Sequence, residues 1–228
     1  MPLLKDSKRQ TLPVLPKPRV EKEGETARVY RLLKEAILQC EFSPGDFLIE
    51  VDLARQCKTS RTPVREACNR LCQEGWITQI RYKGYRVPEI SLREIIEVYE
   101  YRKVLECFAA GKVSETASDE CLSALAATIE IENELDPDLA QLVQANERFH
   151  LALAALAGNQ RICDQLKAVL EHVRRLDMLG SRRDTEWMPH GQILDAIRAH
   201  NQAEAQRAMA EHVDRSRNQM LKIFGGSR

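Results

Sequence analysis

Two groups of side chains in this chain of 228 residues have the types and spacing to do chemistry. The first is basic. Residues 55–87 hold Arg55, Lys58, Arg61, Arg65, Arg70, Arg81, Lys83 and Arg86 against only Glu66 and Glu74, an excess of six positive charges in 33 residues. That density is what a phosphate-binding surface needs, and it is also what a solvated basic face looks like. The second group lies within the last 80 residues, where His150, His190 and His212 carry imidazoles suited to divalent transition ions. Arg102 stands four residues before Glu106 in a Y-x-x-R-x-x-x-E pattern. Its guanidinium either clamps a ligand carboxylate in a bidentate fork or closes an internal salt bridge with Glu106. Arg148, Arg174 and Arg175 are weaker candidates for the same task, and His172 and His200 read as ordinary core or surface histidines.

These residues need elements to position them. Residues 1–24 are rich in Lys, Arg and Pro without apolar periodicity, and read as a mobile basic arm. From Thr26, the residues Val29, Leu32, Leu33, Ala36, Ile37 and Cys40 recur at helical spacing up to the turn Ser43-Pro44-Gly45-Asp46. A short second helix fits Glu50 to Cys57, burying Leu53, Ala54 and Cys57. Lys58-Thr59-Ser60 then supplies a turn and an N-cap for a third helix, which tolerates Pro63 in its first turn. Val64, Ala67, Cys68, Leu71 and Cys72 form one apolar stripe on that helix, leaving Arg61, Thr62, Arg65 and Asn69 on the other side. After Gly75 the period changes: Trp76–Ile80 and Tyr85–Val87 are β-prone, with Arg81-Tyr82-Lys83-Gly84 as a hairpin tip. Three helices and a hairpin within residues 25–90 make a winged helix-turn-helix. From Ser91, an expected N-cap, to the end the chain reads as six helices of about 17 to 25 residues, enough for an all-helical bundle with an internal cavity. Turns are expected at Ser118-Asp119, Asp136-Pro137, Gly158-Asn159, Gly180-Ser181 and His200-Asn201. The fold class is therefore mainly α.

Composition limits the alternatives. The chain is 43% hydrophobic, 5% aromatic and 30% charged, which suits a helical fold better than a β-sandwich. No run approaches the roughly 20 apolar residues of a membrane span, and the N-terminus lacks a signal-peptide core. Seven cysteines without a CxxC pair argue against a disulfide framework or a cysteine zinc site, and a cytoplasmic location is expected. The zero net charge hides a division. Residues 1–90 hold 17 Lys and Arg against 12 Asp and Glu, and residues 91–228 hold 17 against 22, so the halves carry +5 and −5.

The segment "VDLARQCKTSRTPVREACNRLCQEGWITQIRYKGYRV" resembles the DNA-binding domain of the GntR superfamily of bacterial transcription regulators. Residues 60–67 match its characteristic SRTPVREA in full. Three later segments, "YEYRKVLE", "NERFHLALAALAGN" and "HGQILDAIRAHNQAEAQRAMAEHV", resemble the FCD ligand-binding domain of the fatty-acid-regulator-like branch. The resemblance implies that the third helix lies in the major groove of double-stranded DNA. There Arg61 and Arg65 would offer bidentate donors to guanine, with Thr62 on phosphate or base and Ser60 at a phosphate-binding helix terminus. The wing residues Arg81, Lys83 and Gly84 would approach the adjacent minor groove. Where the family often places a base at the start of the second helix, this chain has Val51.

The resemblance also implies a divalent metal, of the zinc, nickel or manganese class, held by His150, His190, His212 and the residue one turn before His150. The family has aspartate there and this chain has Asn146, which brings no charge and weakens the site. Glu147, three residues before His150, is the nearest acid in sequence. The expected protein is not an enzyme. It is a homodimeric repressor whose operator affinity is switched by a small organic acid at the metal, with Arg102 on the acid. Two other readings use the same residues: a sensor in which the ion is itself the effector, and a metal-dependent hydrolase or lyase with Glu147 as base.

Overall fold

In α1 (Glu25–Leu38) the buried positions Val29, Leu33 and Ile37 recur every four residues and face the core, although Leu32, expected on that stripe, is exposed. A computed structural model of the chain describes residues 24–134, 138–180 and 189–226. The arm expected over residues 1–24 lies outside the described residues except for Gly24, and so do Asp136, Pro137 and Ser181 of two expected turns.

A two-residue strand β1 (Phe47–Leu48) leads into α2 (Glu50–Gln56), then α3 (Arg61–Gln73), β2 (Thr78–Ile80) and β3 (Gly84–Arg86). On α3 the residues Val64, Ala67, Cys68 and Leu71 are fully buried, and Cys72 packs at their margin. The helix ends because Gly75, at φ +82°, turns the chain back so that the Trp76 N–H reaches the Leu71 carbonyl at 2.9 Å. The strands form an antiparallel sheet in the order β1-β3-β2, with Leu48 opposite Tyr85 and Gln79 opposite Tyr85 on the other side. The buried side chains of α1, α2, α3 and the sheet close one core around Trp76, Ile77, Tyr85 and Val87.

The remainder is helical: α4 (Leu92–Thr116), α5 (Asp119–Thr128), a 3-10 turn (Glu130–Asn133), α6 (Leu139–Leu156), α7 (Gln160–Gly180), α8 (Gly191–Arg198) and α9 (Gln202–Gly225). The Ser91, Ser118, Asp138 and Asn201 side chains cap α4, α5, α6 and α9 by accepting a backbone N–H three residues on. Six α-helices therefore follow Ser91 among the described residues, as expected, but α5 and α8 have only 10 and 8 residues. The expected lengths of about 17 to 25 are too uniform, because a 3-10 turn interrupts one segment and α8 begins only at Gly191 before the expected His200-Asn201 turn. The long central helix α4 packs along α9 and touches α6, α7 and α8, so its inward face, including Arg102 and Glu106, is buried. No helix of the described residues is long and apolar enough to cross a membrane.

Candidate nucleic-acid interface and buried histidine cluster

The first turn of α3 is exposed at Ser60, Arg61 and Thr62, and Arg65 lies one turn further on the same side. This follows from the stripe of Val64, Ala67, Cys68 and Leu71, which fixes the opposite face against the core. Ser60 is the N-cap in extended conformation, yet its hydroxyl caps no backbone N–H, so both hydroxyl and helix terminus stay open to an anion. Across from α3 the β2–β3 hairpin carries Arg81, Tyr82 and Lys83 at its exposed tip, with the Arg81 guanidinium 4.8 Å from the Tyr82 ring centre. A groove of about 650 Å³ runs between the two elements, lined by Glu50, Arg61, Arg65, Lys83 and Gly84 among others. The structure thus brings four of the seven residues expected at a DNA surface, Arg61, Arg65, Lys83 and Gly84, into one groove, with Ser60, Thr62 and Arg81 close to them in sequence.

Gly84 has a reason of its own. Its φ is +94°, and a Cβ there would sit 2.5 Å from the Leu48 carbonyl oxygen, so glycine is required by the close approach of β1. Glu50 was absent from the residues singled out in the sequence. It accepts hydrogen bonds from Arg65 at 2.9 and 2.7 Å and from Arg61 at 3.2 Å. Nothing local announces this, because Glu50 and Arg65 lie on different helices.

In the bundle, His150 on α6, His190 at the head of α8 and His212 on α9 converge. One ligand atom from each lies within 4.8 Å of the others, and all three rings are buried. Asn146 is buried one turn before His150. Carboxylates stand behind two of the rings. Glu132 Oε1 is 2.5 Å from His190 Nδ1, and its other oxygen accepts the His190 backbone N–H at 3.1 Å. Glu106 Oε2 lies 2.8 Å from His150 Nδ1, though without the alignment of a hydrogen bond. Glu147, the nearest acid in sequence, points instead to α7, where its carboxylate is 3.9 Å from Arg174. A three-residue step leaves it about 60° round the helix from His150. Glu106 had a sequence signal in its four-residue spacing from Arg102; Glu132, 58 residues before His190, had none.

Arg102 is fully buried and reaches Glu106 Oε1 through Nε at 2.6 Å, so the internal salt bridge is present. Its Nη2 also lies 2.6 Å from His150 Nε2. That contact requires an unprotonated Nε2, since both groups cannot donate. Burial, then Arg102 and His190, hold the His150 pKa well below the ordinary histidine range, and burial followed by His190 and His150 does the same for His212. Neutral imidazoles with lone pairs turned together are what a cation needs. His212 Nδ1 is buried with no hydrogen-bond partner among the described residues, an open donor position in a polar cluster. The carboxylate behind His190 sets its tautomer, leaving Nε2 to face His150 at 3.1 Å. The residues present therefore fit a transition ion.

The two cores meet where α1 touches α7. Lys34 pairs with Glu171 at 2.8 Å and Glu74 at 3.3 Å, Arg174 with Glu35 at 2.6 Å, and Arg175 donates to the Pro88 carbonyl at 3.0 Å. All the other arginine candidates for a ligand except Arg148 are thus engaged at this joint.

Comparison with known proteins gives the chain its place. Residues 25–87 match the gntR family of bacterial regulatory proteins, and residues 97–215 match the FCD domain. The Nta operon transcriptional regulator of Aminobacter aminovorans is 28% identical over 190 residues, 82% of this chain and 90% of that protein. The HTH-type transcriptional repressor RspR of Escherichia coli is 27% identical over 195 residues, 82% of this chain and 84% of that one. The crystal structure of a GntR transcriptional regulator from Rhodococcus sp. RHA1 superposes with a TM-score of 0.74 at 27% identity, covering 89% of this chain and 99% of that one. These relatives are regulators rather than enzymes. The chain belongs to the gntR family of bacterial regulatory proteins and is a DNA-binding transcriptional regulator that carries an FCD domain.

Proposed function

We propose that this regulator is a homodimeric repressor whose hold on an operator is switched by a small organic acid bound at a metal-containing site in the bundle. The observation that carries the reading is the cluster of His150, His190 and His212, with the guanidinium of Arg102 beside it. When bound, a zinc, nickel or manganese-class ion supplies a positive centre for a carboxylate. His150, His190, His212 and Asn146 would hold it, with Glu132 orienting the His190 ring and Glu106 standing behind His150, and Arg102 would pair with the acid's carboxylate. On DNA, Ser60, Arg61, Thr62 and Arg65 enter the major groove, and Arg81, Lys83 and Gly84 approach from the wing.

A single wing and recognition helix cover one half-site, so two copies are needed for a palindromic operator. Tyr101, Val104 and Phe108 follow one another at three- and four-residue steps on α4 and are exposed, with Val104 at 70%, which supports an isologous contact through this helix. The −5 charge of residues 91–228 keeps that half away from phosphates.

The test is duplex binding by the purified chain over a range of salt, with and without chelator and added carboxylic acids. Arg65→Ala should cost about 1–3 kcal/mol on the preferred sequence and relax it at one position, while Lys83→Ala should weaken all sequences alike and reduce the salt slope by about one. A monomer at micromolar concentration, or binding that does not fall with salt, overturns the reading. A response to chelator alone favours the ion itself as effector.

A further inference from the structure

Glu50 stands in the first turn of α2 and faces the N-terminal half of α3. Its Oε1 accepts from Arg65 Nε at 2.9 Å, and its Oε2 accepts from Arg65 Nη2 at 2.7 Å and Arg61 Nη2 at 3.2 Å. The hydroxyl of Tyr85, a buried residue of β3, is 3.4 Å from Oε1. The carboxylate is therefore gripped from three sides on the wall of the basic groove.

An acid on a surface meant for a polyanion repels its ligand, so its presence calls for a compensating use. Arginine geometry supplies one. The guanidinium carries five N–H donors, and its Nε and Nη2 hydrogens form one edge while the two Nη groups form another. Glu50 takes the first edge of Arg65. The second edge is the pair that bonds guanine O6 and N7 together. Arg65 makes no other hydrogen bond among the described residues. The ordering of a long, rotamer-rich side chain is then completed on folding and not charged to DNA binding.

We propose that Glu50 is a positioning residue for sequence readout: it braces Arg65, and secondarily Arg61, so that the outward edge of each guanidinium meets a guanine. Discrimination rises while general attraction to phosphate falls. The inference rests on the reading of Arg65 as a base contact. The Arg65 hydrogen bonds, and behind them Arg61, hold the Glu50 carboxyl down at about 2 against the effect of burial, so it stays anionic wherever DNA is bound.

The full chain would first select duplexes from a randomised DNA pool. Affinities for the selected duplex, for a scrambled duplex, and for the selected duplex with 7-deazaguanine replacing each guanine in turn are then compared for wild type, E50Q, E50D and R65A. For E50Q the ratio of selected to scrambled affinity should fall about tenfold, the size of one bidentate base contact, while binding to the scrambled duplex holds or strengthens. E50D should lose the ratio without gaining on the scrambled duplex, because it keeps the charge but not the reach. Both variants should lose sensitivity at the guanine to which R65A is insensitive. An unchanged ratio, or equal losses on both duplexes, overturns the proposal. If R65A loses the ratio and E50Q keeps it, the brace alone is wrong; if R65A also keeps it, the reading of Arg65 is wrong. Thermal melting checks folding, and if E50Q does not fold, E50D is read by the same ratio and the same guanine, where wild-type values overturn the proposal.

Discussion

The indole of Trp76 and the imidazole of His172 stack with ring centres 4.3 Å apart and planes 17° from parallel. Trp76 belongs to the core of the winged domain and His172 to α7 of the bundle, so this pair is a seam between two separately closed cores. The Lys34 ammonium also lies over the indole at 5.3 Å and ties back to Glu171 beside His172. The seam continues through Glu35 and Arg174 to Glu147, which neighbours Asn146 on the helix that carries His150. A short chain of charged contacts thus runs from the histidine cluster's own helix to α1.

The first expected outcome concerns this seam. His172→Ala removes a stacked ring and should cost about 0.5–1.5 kcal/mol beyond the area it exposes. Since each half has its own core, scanning calorimetry should show one unfolding transition for the coupled wild type and a broader or divided one for H172A. An unshifted, equally sharp transition would mean that the stack contributes nothing to coupling.

Much of this architecture was legible from residue spacing, and the exceptions share a physical cause. The apolar stripe on α3, the cap at Ser91 and the hairpin around Tyr82 are set by neighbours within one turn, and local pattern reports them, whereas Ser60 holds the expected N-cap position of α3 without its side chain capping the helix. The strand Phe47–Leu48 was not legible, because two residues have no period and exist as a strand only by pairing with Tyr85 and Arg86. The histidines and Arg102 could be named, but the carboxylates behind them come from distant positions. Glu132 meets His190 across 58 residues, and Glu50 meets Arg65 across 15. Partners chosen by tertiary packing leave no local trace.

The second outcome follows from those hidden carboxylates. Glu132→Gln removes the negative charge and one of the two acceptor oxygens that hold His190, and the affinity for zinc or nickel measured by titration calorimetry should fall about 10–100-fold. Asn146→Asp adds a negative charge one turn from His150 and should move the affinity the other way. His212→Ala should abolish tight binding. Equal affinities across the three variants would remove the cluster as a metal site.

A third outcome is a pH dependence. The Glu50 carboxyl is held at about 2 in the fold, chiefly by Arg65, against about 4.3 in an unfolded chain. A depressed carboxylate stabilises the folded state fully above its unfolded value, and that stability is lost as pH falls toward the folded value. The stability difference between wild type and E50Q, from urea unfolding, should be constant above about pH 5 and shrink between about pH 4.5 and 2. Because both arginines are more than half exposed, added salt should reduce the difference at neutral pH. A difference that stays flat down to pH 2.5 would show that the pair carries no stability.

The fourth outcome separates two reasons for one glycine. A glycine in a wing lets backbone approach DNA closely, yet the geometry of Gly84 already forbids a side chain without any DNA. At φ +94° an alanine is strained, and its Cβ would collide with the Leu48 carbonyl oxygen rather than point into solvent. Gly84→Ala should therefore destabilise the free protein by more than about 1 kcal/mol and disturb the β1–β3 pairing before any DNA is present. Amide exchange at Tyr85 and Arg86 reports that disturbance directly. If G84A were as stable as wild type and weakened only DNA binding, the glycine would be serving the nucleic acid, and the β1 contact would be incidental.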